Sequence, residues 1–196
     1  WDEYEESWNY MIHPLVKWRT SNMAALIEDK LNEYSEKCEK RFERLKANEI
    51  ELNKRFISIY GLDGEIEPDV KDEDITLRKA DRDREIKSLI SYAVGCIMGR
   101  YSLKEEGLIF AGGVWEESRY ADNFRPCEYG VLPITEEQFF EEDLCTRVID
   151  FIRVVYGEET LVDNLKFIAT TLKPDSYDAP KKIIREYLFN NFFENH

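Results

Sequence analysis

The chain has 196 residues, of which 43% are hydrophobic and 13% aromatic, so it can bury a core and is not a disordered chain. Its formal net charge is −14, from 27 Lys and Arg against 41 Asp and Glu, so this chain alone should bind nucleic acid poorly. No apolar run of about eighteen residues occurs, and the first residues are acidic, which argues against a membrane span or a signal peptide and predicts a cytoplasmic protein.

Cysteine and histidine usage argues against a metal site. The four cysteines, Cys38, Cys96, Cys127 and Cys145, are far apart, and only His13 and His196 could add imidazole ligands. The spacing typical of zinc sites is therefore absent, and we predict reduced, structural thiols and no metal. The chain opens on Trp1 rather than Met, which predicts that it is a piece of a longer protein or a processed form of one.

The first predicted element is a long amphipathic helix over residues 21–60, which Gly61 is well placed to end. Its apolar residues recur at steps of three and four apart from one gap at Asn48 and Glu49, and they form an apolar seam: Ile27, Leu31, Tyr34, Cys38, Phe42, Leu45, Leu52, Phe56 and Ile59. Such a helix would be roughly 60 Å long and could form one arm of a hairpin. Residues 8–18 would be its antiparallel neighbour or a lead-in segment.

The rest of the chain predicts shorter elements. Residues 61–79 indicate a loop with a short extended piece at 75–77. Asp81 can cap the helix that follows this loop. Gly95 and Gly99 in that helix would allow another backbone to approach closely. Residues 107–133 predict short strands or extended loops. Thr135 resembles the start of a capping box for a helix that runs to Tyr156 with a break near Asp143, and helices over 160–172 and 180–193 follow.

These elements together define the predicted architecture. We expect a mainly α protein, with a long helical arm or hairpin plus a helical bundle and a few short strands. Residues 1–60 would form the arm or connector, and residues 61–196 a mainly helical domain.

No set of residues predicts catalysis. Gly112 and Gly113 lack the third glycine and the following helix of a cofactor loop, so a plain turn is favoured. The acidic run 141–143 is more typical of a solvated helix face than of an acid and base pair. Ser102 has no histidine nearby in sequence and no nucleophile-elbow glycines, and His13 is more typical of a packed or capping residue. We predict no catalytic, cofactor-binding or metal-binding residues.

One pair of residues is a candidate for a functional contact. The stretch ISYAVGCIMGRYSL reads as a packed helix that ends on Arg100 and Tyr101. A cation beside an aromatic ring can touch a nucleic-acid backbone, so we name Arg100 and Tyr101 as the candidate DNA contact. The structural alternative is a salt bridge and an aromatic plug that close the helix.

Several stretches together resemble a known family. They are SWNYMIHPLV, NEIELNKRFISIYGLDGEIEPDV, DREIKSLISYAVGCIMGRYSLKEEGLIFAGG and VLPITEEQFFEEDL, followed by LKFIATTL and REYLFNNFFENH near the end. They resemble the part that follows the catalytic domain in PglX-type adenine-specific DNA methyltransferases of BREX phage-defence systems, and related fused restriction-modification enzymes. The resemblance covers nearly the whole chain.

The resemblance implies a parent enzyme that transfers a methyl group from S-adenosylmethionine to adenine in DNA, using an Asn-Pro-Pro-Tyr type motif for the flipped base. None of the six prolines here follows an Asn, and the cofactor glycine loop is missing, so no catalytic or cofactor residue is carried over. The chain would be a non-catalytic connector that leads into the target-recognition region. Its implied partners are DNA through the full-length protein, the rest of the methyltransferase chain and other phage-defence proteins.

A second hypothesis comes from a different class. The chain would be an acidic helical interaction module whose apolar seam docks a protein partner or a second copy.

Overall fold

The computed structural model describes residues 2–17 and 24–195. Six α-helices lie in this part of the chain, so the mainly α prediction is confirmed: α1 (Ile27–Tyr60), α2 (Arg82–Ile97), α3 (Leu144–Tyr156), α4 (Leu161–Leu172), α5 (Pro180–Asn190) and α6 (Phe192–Asn195). The described residues contain no strand, only two isolated bridges within turns. The extended piece predicted at 75–77 forms no strand, and of the two alternatives for 107–133 the structure has irregular loops rather than short strands, apart from the 3₁₀ turn Glu117–Arg119.

The chain divides into two compact units. The first combines Trp1–Leu31 with Arg82–His196, and the second is Asn32–Asp81. The core of the first unit lies between α2, α3, α4 and α5, which pack on one another. Its buried side chains recur at helical spacing because each helix turns one apolar face inward: Ile86, Leu89, Ile90 and Ala93, then Val148, Phe151 and Ile152, then Leu165 and Ile168, then Ile184 and Leu188.

Helix α3 begins later than the capping-box pattern predicts. Asp143 is its N-cap, and the carboxylate Oδ1 accepts a hydrogen bond from the Thr146 N–H at 2.8 Å. The Thr135 hydroxyl instead donates to the Glu137 carbonyl oxygen, so it cannot serve as the predicted helix start. The predicted helix over residues 135–143 is therefore wrong, whereas the predicted end is confirmed, because Gly157 caps α3 with a φ of 93°.

The start of α1 is capped by a residue far along the chain. Helix α1 begins at Ile27; of the residues predicted to precede it in the helix, 24–26 are not helical and 21–23 lie outside the described part. The Ile27 N–H donates to Asn164 Oδ1 at 2.8 Å, and Asn164 Nδ2 donates to the Ala25 carbonyl at 3.0 Å. Asn164 is 1% exposed, so a buried amide of α4 satisfies the first turn of α1.

The second unit consists of most of α1 and the segment that follows it. This segment runs back along the helix, because Asn53 Nδ2 donates to the Pro68 carbonyl at 3.1 Å and Lys46 Nζ lies 2.5 Å from Asp72 Oδ1. Lys79 then meets Glu39 at 2.9 Å and covers the Phe42 ring at 4.3 Å. Segment 61–81, which is irregular apart from the 3₁₀ turn Asp72–Asp74, therefore forms the hairpin partner of α1, while residues 8–17 form turns in the first unit.

The predicted apolar seam is buried in only half of α1. Phe42 and the seam residues before it are buried, whereas Leu52, Phe56 and Ile59 are 51%, 55% and 75% exposed. The change falls at the gap in the pattern, Asn48 and Glu49. One half of the seam is core, and the other half presents apolar side chains to solvent.

Phe42 and Phe56 give a matched test of this difference. We expect Phe42→Asp to lower the free energy of unfolding by about 2–4 kcal/mol, because it removes a core ring that is 3% exposed, and to lower the melting temperature by several degrees. Phe56→Asp should leave the melting temperature nearly unchanged, because its ring is already half exposed. Thermal unfolding, monitored by circular dichroism, measures both effects. Equal melting curves for the two variants would contradict the conclusion that the seam is buried at Phe42 and exposed at Phe56.

Candidate functional site

Two glycines shape the end of α2. The Arg100 N–H donates to the Gly95 carbonyl at 2.8 Å, and Gly99 has a φ of 82°, so the chain turns sharply after the helix. A Cβ on Gly95 would lie 2.6 Å from Cδ2 of the Tyr101 ring, and one on Gly99 would lie 2.6 Å from the Trp115 ring. The close approach predicted at these glycines therefore occurs, but aromatic rings rather than another backbone make it.

Tyr101 is part of a buried aromatic cluster. Its side chain is 3% exposed, and its ring stacks on Tyr92 at 5.1 Å between centroids and meets the edge of Tyr10 at 5.6 Å. Its hydroxyl donates to Glu5 Oε1 at 3.0 Å. Burial, with the Glu5 carboxylate beside it, raises the pKa of Tyr101 to about 12, so the hydroxyl keeps its proton.

Arg100 is the exposed member of the pair. Its Nε donates to the Tyr101 hydroxyl at 3.1 Å, and its guanidinium carbon lies 5.5 Å from the Tyr101 ring centroid. Within residues 2–17 and 24–195, no carboxylate forms an ion pair with Arg100. The structure thus brings the predicted pair together, with Tyr101 as an aromatic plug and Arg100 as a cation held at the surface.

His13 and Ser102 have structural hydrogen bonds. His13 is 1% exposed, its Nδ1 accepts from the Leu15 N–H at 3.2 Å, and its Nε2 lies 3.2 Å from Ser88 Oγ. Nε2 therefore carries the proton of the neutral ring and donates it to Ser88. Burial lowers the pKa of His13 to about 3. Ser102 Oγ donates to the Arg119 carbonyl at 2.8 Å, so neither side chain is arranged as a catalytic base or nucleophile.

The core contains a buried ion pair that the sequence did not predict. Arg185 Nη1 lies 2.6 Å from Asp143 Oδ2, and the Asp143 side chain is fully buried. Burial alone would raise the pKa of Asp143, but the hydrogen bonds from Arg185 and Thr146 outweigh it and hold the pKa below its usual range. The only sequence signal was Asp143 itself, an N-cap residue before an apolar run.

Beside this pair lies a cavity of about 430 Å³ with mixed charge. Acidic and basic side chains both border it, among them Asp150, Arg153 and Lys182. Arg153 pairs with Glu158 at 2.7 Å and Lys182 with Asp178 at 2.9 Å, so these cations are already neutralised within the protein. Burial raises the pKa of the neighbouring Cys145 thiol to about 11, which makes it a poor nucleophile. The side chains that border the cavity therefore identify no class of ligand.

Residues 2–17 and 24–195 hold neither a metal-binding cluster nor a disulfide. No group of three or more His, Cys, Asp or Glu side chains there is placed to hold a metal ion. The four cysteines, all of which are described, form no disulfide. None of the described helices is both long enough and apolar enough to cross a bilayer.

Fold and site together define a mainly α-helical protein segment whose apolar core encloses an aromatic cluster and a buried ion pair, with Arg100 exposed just after the end of α2. Comparison with known proteins identifies the proteins to which this segment is similar. The chain is 37% identical over 201 residues to the adenine-specific methyltransferase PglX of Lacticaseibacillus casei (strain Zhang), an alignment that covers 99% of this chain and 16% of that protein. It is 31% identical over 227 residues to the adenine-specific methyltransferase BrxX of Escherichia coli O9:H4 (strain HS), covering 100% of this chain and 18% of BrxX.

The resemblance to PglX-type methyltransferases is thereby confirmed. The chain is similar, along nearly its whole length, to one segment of these two enzymes, and it spans about a sixth of their length. No family model matches the chain.

Proposed function

We propose that the chain is a non-catalytic connector and the start of the specificity region of an adenine-specific, S-adenosylmethionine-dependent DNA methyltransferase that acts in phage defence or restriction-modification. The supporting observation is that nearly the whole chain is similar to a segment of each of two adenine-specific methyltransferases, a segment that makes up about a sixth of each enzyme. No proline of the chain follows an Asn, so the motif for the flipped base would lie elsewhere in the parent enzyme. DNA, the rest of that enzyme and other phage-defence proteins are the proposed partners.

Helix α1 suits a connector. Its 34 residues make a rod of roughly 50 Å, and Asn164 fixes its first turn. The proposal keeps the functional division predicted from the sequence, with a connector within residues 1–60 and a domain within 61–196. The compact units have other boundaries because segment 61–81 folds back on α1. The rod would hold the recognition region at a set distance from the methylating pocket.

The residues present do not fit a cofactor loop. S-adenosylmethionine would supply the methyl group in the parent enzyme. Gly112 and Gly113 lie in irregular chain, with no described strand before them and no α-helix after them until α3. No step through the cofactor is therefore assigned to this chain.

Calorimetry tests the non-catalytic assignment. We expect no saturable binding of S-adenosylmethionine by this chain and no transfer of its methyl group to DNA, because the residues for both steps would lie elsewhere in the parent enzyme. Saturable binding would contradict the proposal.

Arg100 is the proposed DNA contact, with Tyr101 as the residue that positions it. In a full-length methyltransferase that carries this segment, we expect Arg100→Ala to weaken DNA binding about equally for all sequences. The slope of log K against log salt should fall by about one, because one phosphate contact is lost. Titrations of DNA at several salt concentrations measure this effect.

Two variants show whether the effect belongs to the positive charge at position 100. Arg100→Lys should keep most of the salt slope, and Lys181→Ala, which removes another exposed cation, should keep all of it. Normal DNA affinity and normal salt dependence in Arg100→Ala, together with lower thermal stability, would mean that Arg100 only closes the helix.

The second candidate function is an acidic helical interaction module that dimerises or binds a protein. The observation that favours it is the exposed half of the seam, where Leu52, Phe56 and Ile59 face solvent. Light scattering after gel filtration and a DNA mobility shift separate the two candidates. A salt-dependent DNA shift favours the connector, whereas a stable dimer without DNA affinity favours the module.

A further inference from the structure

A short loop on the first unit is held firmly at both ends. This acidic loop, residues 135–143, has no regular secondary structure. The Leu144 N–H donates to the Pro133 carbonyl at 3.1 Å, which closes its neck. The guanidinium of Arg185 reaches both ends of the loop, the Thr135 carbonyl at 3.3 Å and the Asp143 carboxylate at 2.6 Å. The two ends of the loop are thus held close together by Arg185.

The middle of the acidic loop presents two aromatic rings to solvent. Phe139 is 72% exposed and Phe140 is 51% exposed. Exposed glutamates stand on both sides of them: Glu136, Glu137, Glu141 and Glu142. Only Glu142 has an ion pair among the described residues, with Arg147 Nε at 3.4 Å. Two adjacent exposed phenyl rings inside a charged rim have the layout of a docking surface, with an apolar centre and a polar border.

We propose that the acidic loop docks a protein partner whose surface carries an apolar pocket rimmed by Lys or Arg. Phe139 and Phe140 would fill the pocket, and the glutamates would meet the basic rim. Because the loop ends are already fixed, less conformational entropy is lost when the partner binds than for a segment with free ends. Large aromatic anchors inside a charged rim are the arrangement in which few residues carry most of the binding energy. This inference is independent of the proposed connector function.

The charge of the acidic loop argues against other occupants. Its carboxylates would repel the phosphates of DNA and the anionic headgroups of a membrane. Glu136 and Glu137 also border the cavity described above but form no ion pair with its lysines. Their charge is therefore available to a basic partner.

A synthetic amphipathic peptide, with leucines on one face of a helix and lysines on the other, serves as the probe. We expect its fluorescence anisotropy to show saturable binding to the chain that weakens between about 0.05 M and about 0.5 M salt. The double variant Phe139→Ser/Phe140→Ser should bind at least tenfold more weakly, with an unchanged melting curve because both rings are exposed. The triple variant Glu136→Gln/Glu137→Gln/Glu141→Gln should lose the salt dependence.

A matched control separates the loop from the general acidity of the chain. Tyr177 is fully exposed between Asp175 and Asp178, so Tyr177→Ser should bind the peptide like the unmodified chain. The proposal is overturned if no saturable binding occurs, or if the Phe139→Ser/Phe140→Ser and Tyr177→Ser variants bind alike. It is also overturned if the two Phe substitutions abolish self-association of the chain or its binding to neutral phosphatidylcholine vesicles, because the occupant would then be a second copy or a lipid surface.

Discussion

We expect Asp143→Ala to lower the free energy of unfolding by about 3–5 kcal/mol, because the substitution leaves the Arg185 guanidinium buried without its carboxylate. The N-cap of α3 is lost at the same time, which adds about 1 kcal/mol. For a chain of this length the melting temperature should fall by roughly 10 °C or more. Chemical and thermal unfolding of the purified chain measure the change.

Three variants separate charge from capping. Asp143→Ser keeps an oxygen that can cap α3 but removes the charge, so it should recover only the capping part of the loss. The double variant Asp143→Ala/Arg185→Met should be more stable than Asp143→Ala, because no unpaired charge stays buried. Glu186→Ala breaks an exposed ion pair of α5 with Lys173 and should leave stability almost unchanged. Equal stability of Asp143→Ala and the unmodified chain would contradict the buried pair.

Features set by local sequence were predictable. Helical spacing of apolar residues identified α1, α2, α4 and α5, and glycines marked the ends of α1, at Gly61, and α3, at Gly157. Each signal depends on residues within a few positions of one another. The capping-box prediction at Thr135 failed because the carboxylate of Asp143, eight positions later, caps α3 and is held by Arg185, whereas the Thr135 hydroxyl donates to the Glu137 carbonyl.

Features set by distant residues were not predictable from one sequence. Asn164 caps α1 from 137 positions away, and Arg185 joins Asp143 across 42 positions. The exposed half of the seam has the same spacing as the buried half, so periodicity alone could not separate them. A periodic pattern identifies a face of a helix, but only the tertiary structure shows what covers it.

The candidate site shows the same division. Arg100 and Tyr101 are adjacent in sequence, and their contact at a helix end followed from that adjacency and from Gly99. The Tyr101 hydroxyl also donates to Glu5, 96 positions away, which no local pattern indicated. Burial separates the two residues chemically, because it makes Tyr101 a core side chain and leaves Arg100 as the exposed cation.

The histidine next to this aromatic cluster should make stability depend on pH. His13 has a folded-state pKa of about 3 and an unfolded value near 6.5, so the unfolded chain binds a proton that the folded chain does not. Its contribution to stability is therefore fully present above pH 6.5 and is lost as the pH falls toward 3. The loss should approach about 1.4 kcal/mol per pH unit, and about 5 kcal/mol across the window.

His13→Asn isolates this effect from the other groups that titrate in acid. An Asn oxygen can still accept the Leu15 N–H but does not titrate, so any packing loss is the same at every pH. Between pH 7 and pH 5 the free energy of unfolding of the unmodified chain should fall by about 2 kcal/mol more than that of the variant. Urea unfolding at both pH values measures the two slopes. The same pH dependence in the unmodified chain and in His13→Asn would contradict this prediction. It would mean that folded and unfolded chains bind the proton equally well, so that the imidazole would be open to water instead of packed beside Tyr92 and Ser88.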